Sequence, residues 1–224
     1  MGLNNTWGSK SIIKHIGDTR ANFNQLYKGE KYLISKFIKN NDTVLDIGCG
    51  QGGLCHILNK KFKKIKYTGI DFNKKMIDLA KSNFSDGKFY YFKKKNYYKF
   101  FKKKFDVVII FGILHLNSNW DKILLNASKV SKRAIIFDHR IELKINNNKN
   151  FYLDLDFENR NKKFRINYFL LKKNYLENFI KFKMKKLNVN KFYYTGYASK
   201  YSNIKNKITF ANVGLYKWLS LRRQ

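Results

Sequence analysis

Four glycines crowd six positions of the stretch VLDIGCGQGGL, Val44 to Leu54: Gly48, Gly50, Gly52 and Gly53. Glycine at that density lets the backbone pass close to a ligand, with no Cβ in the way. A short β-branched run precedes the turn and an amphipathic run follows it. Such a strand-to-helix junction turns its free amides towards a nucleotide-like cofactor. Asp46 narrows the chemistry. A carboxylate at the end of the strand would repel a pyrophosphate and suits a ligand that presents an ammonium group with a sulfonium nearby.

Two of the chain's four histidines stand where strands should end, His115 in FDVVIIFGILHL and His139 in FDHR. Ligands of open α/β sheets bind outside the carboxyl ends of the strands, and an oxygen nucleophile needs a base near it. His115 and His139 are therefore the candidate catalytic residues, as a base or as an orienting pocket residue. Arg140 follows directly, and Arg160 and Arg165 come later. A guanidinium fork grips a carboxylate or phosphate in two bonds. Arg140 and Arg165 are thus candidates for an anionic group on the substrate, or else for ion pairs with Asp154, Asp156 or Glu158. Upstream, Trp7, His15 and Arg20 can belong to a lid over the site, with Trp7 and His15 as candidate substrate contacts. Cys49 and Cys55 form neither a disulfide framework nor a metal quartet, and no metal is expected.

These residues need a scaffold, and the apolar pattern supplies one. After a loose start, DTRANFNQLYKGEKYLISKFIK reads as helical, capped by Asp18 or Thr19 and breakable at Gly29. Strand-like TVLDIG, IKYTGIDF, KFYYFKKKN, FDVVIIFGILHL and RAIIFDHR then alternate with helical GGLCHILNKKF, NKKMIDLAKSNF (opened by Asn73) and NSNWDKILLNASKVS. That alternation with short connections predicts a parallel, doubly wound α/β sheet. Residues 144–172 read as an irregular insertion with a hairpin. A helix, NYLENFIKFKM, and two closing strands finish the chain. The expected domains are a helical lid over 1–40 and a catalytic domain over 41–224.

VLDIGCGQG resembles the first motif of the class I S-adenosylmethionine-dependent methyltransferases, GIDFNKKMIDLAK their second and FDVVIIFGILHL their fourth. The resemblance covers about residues 40 to 140. It implies a three-layer Rossmann-like fold with a mostly parallel seven-stranded sheet and an antiparallel C-terminal strand. It also implies S-adenosylmethionine as cofactor and S-adenosylhomocysteine as product. Asp46 would then hold the methionine end, with Gly48 and Gly50 beneath it. Asp71 would take the ribose hydroxyls, while Phe72 and Met76 lie near the adenine. Phe111 and Arg20 complete the expected contacts. The chain carries KKKNYYKF where the family often has an acidic turn, so Asn96 is the expected partner of the adenine amine.

The formal charge of +32 comes from 47 basic residues, 40 of them Lys, against 15 acidic ones. Proline is absent where average usage of about 5% predicts roughly ten. This joint skew is what an AT-rich genome produces, so the charge alone does not assign a nucleic-acid partner. No apolar run approaches the roughly 20 residues that span a bilayer, and the first ten residues lack the order of a signal peptide. A soluble cytoplasmic protein is expected. A base-methylating mechanism through Pro-Pro-aromatic or Pro-Cys motifs is excluded, because the chain has no proline. The reading is O-methylation of a small anionic metabolite or carbohydrate. The alternatives are RNA methylation, with residues 92–105 as a basic and aromatic contact surface, and a non-catalytic partner subunit.

Overall fold

The computed structural model describes residues 7, 10–92, 98, 101–142, 151–154, 165–197, 204 and 207–217. Helix α1 (Lys10–Thr19) and helix α2 (Lys28–Phe37) replace the single helical stretch expected before residue 40. Asn22 separates them by capping a short 3-10 turn, Phe23–Gln25, where its side chain accepts from the Asn24 and Gln25 amides. Gly29 does not break a helix. It lies in the first turn of α2, where a Cβ would come within 2.1 Å of Asn212 Cγ. Thr19 ends a helix rather than capping one.

From residue 43 the alternation is regular. Strand β1 (Thr43–Ile47) leads to helix α3 (Gly53–Lys61), β2 (Lys66–Asp71), helix α4 (Lys74–Asn83) and β3 (Gly87–Tyr91). Asn73 caps α4 by accepting from the Met76 amide at 3.1 Å. Strand β4 (Phe105–Ile110) ends earlier than its apolar run, at Gly112 with φ +76°, and a 3-10 turn, Leu114–Leu116, carries His115. Helix α5 (Trp120–Val130) and the long β5 (Ser131–Glu142) follow.

The hairpin foreseen in the insertion is the antiparallel pair β6 (Tyr152–Asp154) and β7 (Arg165–Asn167). Then come β8 (Leu171–Lys172), helix α6 (Lys173–Lys183), β9 (Asn188–Tyr197) and β10 (Lys207–Tyr216). The main sheet runs β3-β2-β1-β4-β5-β10-β9, with β8 beside β5. Of its pairings, those of β10 with β5 and β9 are antiparallel and the others parallel.

The sheet therefore has eight strands, not the expected seven. The eighth exists because β5 overhangs β4: their register ends at Ile110–Phe137, and β8 pairs with the edge left free at Ile141 and Glu142. An unpaired buried edge would leave backbone groups without partners.

The central strands are apolar on both sides, as strands covered by helices on both faces should be. Val107 and Ile109 face the cluster that holds Leu33, Phe37 and Leu58, while Val108 and Ile110 face Trp120, Leu124 and Ile180. Three layers result, and the strand ends of β1, β2 and β4 converge on one rim.

Candidate active site

A cavity of about 490 Å³ opens at that rim. Asp46 ends β1 in its wall, Gly48 and Gly50 form its floor, and Asp71, Phe72 and Met76 follow from β2 and α4. Phe111, Gly112 and Ile113 enter from the end of β4, and Trp7, Ile16 and Arg20 from the N-terminal segment. Gly48 has φ +83°, and a Cβ there would meet Ile113 Cγ2 at 2.7 Å. Both facts demand glycine.

Asp46 is 4% exposed and accepts a short hydrogen bond from the Tyr67 hydroxyl. Burial pushes its carboxyl from the ordinary value of 3.8 up to about 6, against the pull of Tyr67 and Arg20. Asp71 is fixed differently, by the amides of Gly50 at 3.0 Å and Asn73 at 2.8 Å. Burial raises its pKa too, and those amides oppose the shift.

Arg20 donates to Glu30 at 2.6 Å, and Glu30 also receives the Tyr27 amide at 3.1 Å. Burial works against the charge of Arg20, but Glu30, Asp46 and Asp138 outweigh it and its pKa is raised. On the neighbouring strand Asp138 accepts the Gly112 amide at 2.6 Å and pairs with Arg140. Arg140 is buried, with its guanidinium 4.1 Å from the centre of the Phe210 ring. Its place is in this network, and it does not line the cavity.

Neither histidine lines the cavity. His139 is fully buried on the opposite face of β5, edge-on to Trp120 at 5.4 Å. Its Nδ1 lies 2.8 Å from the Arg140 amide and 3.0 Å from the Arg140 carbonyl, and its Nε2 is buried without a hydrogen-bond partner. Burial lowers its pKa to about 4. His115 packs against Tyr168 with ring centres 4.8 Å apart. Burial, then the nearby Arg140, holds its pKa well below 6.5. Both imidazoles are neutral at pH near 7.

This arrangement can hold a zwitterionic, nucleoside-bearing ligand. It offers a carboxylate for an ammonium at Asp46, a second one for hydroxyl groups at Asp71, and a cradle between them where no side chain fits. Residues 38–191, more than half of the chain, match the family model of a methyltransferase domain. The chain belongs to that family.

Its fold is the Rossmann-like fold of solved S-adenosylmethionine-dependent methyltransferases. The chain is 30% identical over 95 residues to the demethylmenaquinone methyltransferase of Thermotoga maritima, covering 42% of this chain and 41% of that one. It is also 47% identical over 45 residues to a tRNA (guanine-N(7)-)-methyltransferase of Clostridium botulinum, covering 20% and 21%. The chain thus spans about half or less of the length of the curated relatives it matches. A SAM-dependent methyltransferase of Methanosarcina mazei shares the fold, with TM-score 0.62 and 16% identity over 86% of this chain and 98% of that one.

Eight of the nine expected cofactor residues line the one cavity: Arg20, Asp46, Gly48, Gly50, Asp71, Phe72, Met76 and Phe111. Asn96 lies outside the described residues. Among the expected substrate residues Trp7 lines the cavity. His15 is on α1 and Arg165 opens β7, but their side chains lie outside the described residues, as does Arg160. Sequence reasoning missed Tyr67, Glu30 and Asp138. A signal existed, because acidic residues are rare in this chain, 15 of 224, and those three positions carry two of them. Asn117, Asn119 and Lys122 on the cavity wall were missed as well. Among the described residues there is no cluster of three metal-ligating side chains, and no helix long and apolar enough to cross a membrane.

Proposed function

We propose that the chain methylates a small molecule, through oxygen, with S-adenosylmethionine as donor and an acceptor that is an anionic metabolite or a carbohydrate. The observation that carries this reading is Asp46 and Asp71 on one wall of a cavity floored by glycine. S-adenosylmethionine supplies a methyl group on a sulfonium, which a nucleophile can take in one displacement. The protein's share is mainly positioning. Asp46 holds the ammonium end, Asp71 the ribose, and Phe72 and Met76 the base.

The apolar roof of Trp7, Ile16 and Ile166 favours a compact acceptor and excludes water. Of the two histidines, His115 is assigned to positioning the acceptor wall, since its neighbours Ile113 and Leu116 line the cavity while its own ring packs against Tyr168. His139 faces Trp120 and is assigned to packing.

A second reading, RNA as acceptor, draws on the charge of +32 and the likeness to a tRNA methyltransferase. One experiment separates them. The purified protein is incubated with methyl-labelled S-adenosylmethionine and a fractionated extract, at about 0.15 M salt to suppress adventitious polyanion binding. Label in small, nuclease-resistant material is the expected result. Label in nuclease-sensitive, high-mass material would overturn the small-molecule reading.

A further inference from the structure

The charges around the cavity do not cancel, and the imbalance has a direction. Four charged residues line the wall among the described residues: Arg20, Lys122, Asp46 and Asp71. They sum to zero. Behind them stand three more, nearly inaccessible to water: Glu30 at 1%, Asp138 at 2% and Arg140 at 4% exposure. Asp138 and Arg140 are an ion pair and neutralise each other. Glu30 is paired with Arg20, and it leaves the whole set with one negative charge in excess. Asp46 has a hydroxyl, not a cation, as its hydrogen-bond partner.

A guanidinium on the wall of a cavity that receives a sulfonium is a liability, since like charges repel strongly where water is excluded. Glu30 removes it. It is delivered by α2, outside the glycine motif, and its other oxygen is occupied by the Tyr27 amide. That bond holds the carboxylate towards Arg20.

The two forms of the cofactor differ in this respect. S-adenosylmethionine carries a sulfonium, an ammonium and a carboxylate, hence one net positive charge. Transfer of the methyl group to the acceptor leaves the sulfur with the electron pair of the broken bond, and S-adenosylhomocysteine is a neutral zwitterion. We infer that Glu30 is a specificity-determining residue that biases the site towards the cationic cofactor and against its neutral product. This rests on the cofactor reading above. The bias would ease product release, because turnover itself discharges the attraction.

The test is calorimetric binding of three ligands to the full chain and to Glu30→Gln. They are S-adenosylmethionine, S-adenosylhomocysteine, and sinefungin, which carries an ammonium near the position of the sulfonium. Wild-type protein should bind sinefungin and S-adenosylmethionine about tenfold more tightly than S-adenosylhomocysteine, a difference of about 1.4 kcal/mol. In Glu30→Gln, which keeps an oxygen for the Tyr27 amide, that ratio should fall towards one, with S-adenosylhomocysteine affinity little changed. A wild-type protein that binds the neutral product as tightly as sinefungin overturns the inference while leaving the cofactor reading intact, and needs no folded variant. Failure of all three ligands to bind would remove the cofactor reading, and the inference with it.

Discussion

The two ends of the sheet's carboxyl rim are built on different principles. At the β1–β2 end, polar groups are held through the backbone amides of two strand-to-helix turns: Asp71 by the amides of Gly50 and Asn73, and the Met76 amide by the Asn73 side chain. At the β5–β10 end buried side chains hold one another. Arg140 lies between Asp138 on its own strand and Phe210 on the next, and Asp138 reaches back to Gly112. The first end is a pair of turns whose residues Gly48, Gly50, Asp71 and Phe72 line the cavity. The second is a buried polar network that must be satisfied internally before it can serve anything else.

This contrast is sharpest at Asp138. Asp138→Ala leaves the Arg140 guanidinium buried without its ion-pair partner and the Gly112 amide without an acceptor. Breaking a buried pair from one side costs about 3–5 kcal/mol, so denaturant unfolding should show a loss of that order. A loss below about 1 kcal/mol, the range of exposed pairs, would mean that the network is open to water and the contrast is false.

The opposite sign is expected at Asp46. Its folded pKa of about 6 lies above the ordinary 3.8, so the folded state holds this proton more tightly than the unfolded one. The associated stability is fully present below pH near 4 and is lost as pH rises through about 6. Asp46→Asn should therefore stabilise the ligand-free protein at pH 7 by up to about 3 kcal/mol, the linkage value of a two-unit shift. It should also flatten the stability profile between pH 4 and 6 and remove most of the cofactor affinity. Thermal melts across that window, with and without S-adenosylmethionine, check all three. A destabilised Asp46→Asn protein would show that this carboxylate serves the fold, as at the other end of the rim.

The same division explains what could be read from the sequence. Asp46, Asp71 and the Asn73 cap were legible because each belongs to a recognisable strand-to-helix turn, although Asp46 and Asp71 also reach partners 21 residues away, Tyr67 and Gly50. The parallel order of strands was legible for the same reason, each unit being local. Glu30, Asp138 and strand β8 were not. Their roles come from register and overhang: β5 extends past β4, and Arg140 stands opposite Phe210. Such neighbours are fixed by the closed sheet and leave no periodicity behind. Gly29 reads as a helix breaker until Asn212 is found against it. The single helical stretch expected before residue 40 is two helices because Asn22 caps a 3-10 turn, Phe23–Gln25, between them.

The smallest expected effect tests the junction between the two ends, where α1 meets the glycine loop. Gln51 Nε2 donates to the Ile13 carbonyl at 2.7 Å, and a Cβ on Gly17 would sit 3.0 Å from the same nitrogen. If α1 is a lid, this bond belongs to the closed state, and Gln51→Ala should weaken cofactor binding about fivefold, as the net loss of one hydrogen bond of about 1 kcal/mol predicts. The loss should appear in the dissociation rate, since opening precedes release. The melting temperature of the ligand-free protein should hardly move, because that state gains little from closure. Stopped-flow dissociation against a melting curve distinguishes the cases. A lowered melting temperature with an unchanged off-rate would make α1 a fixed part of the fold, and the cofactor end would then depend on long-range packing as heavily as the acceptor end does.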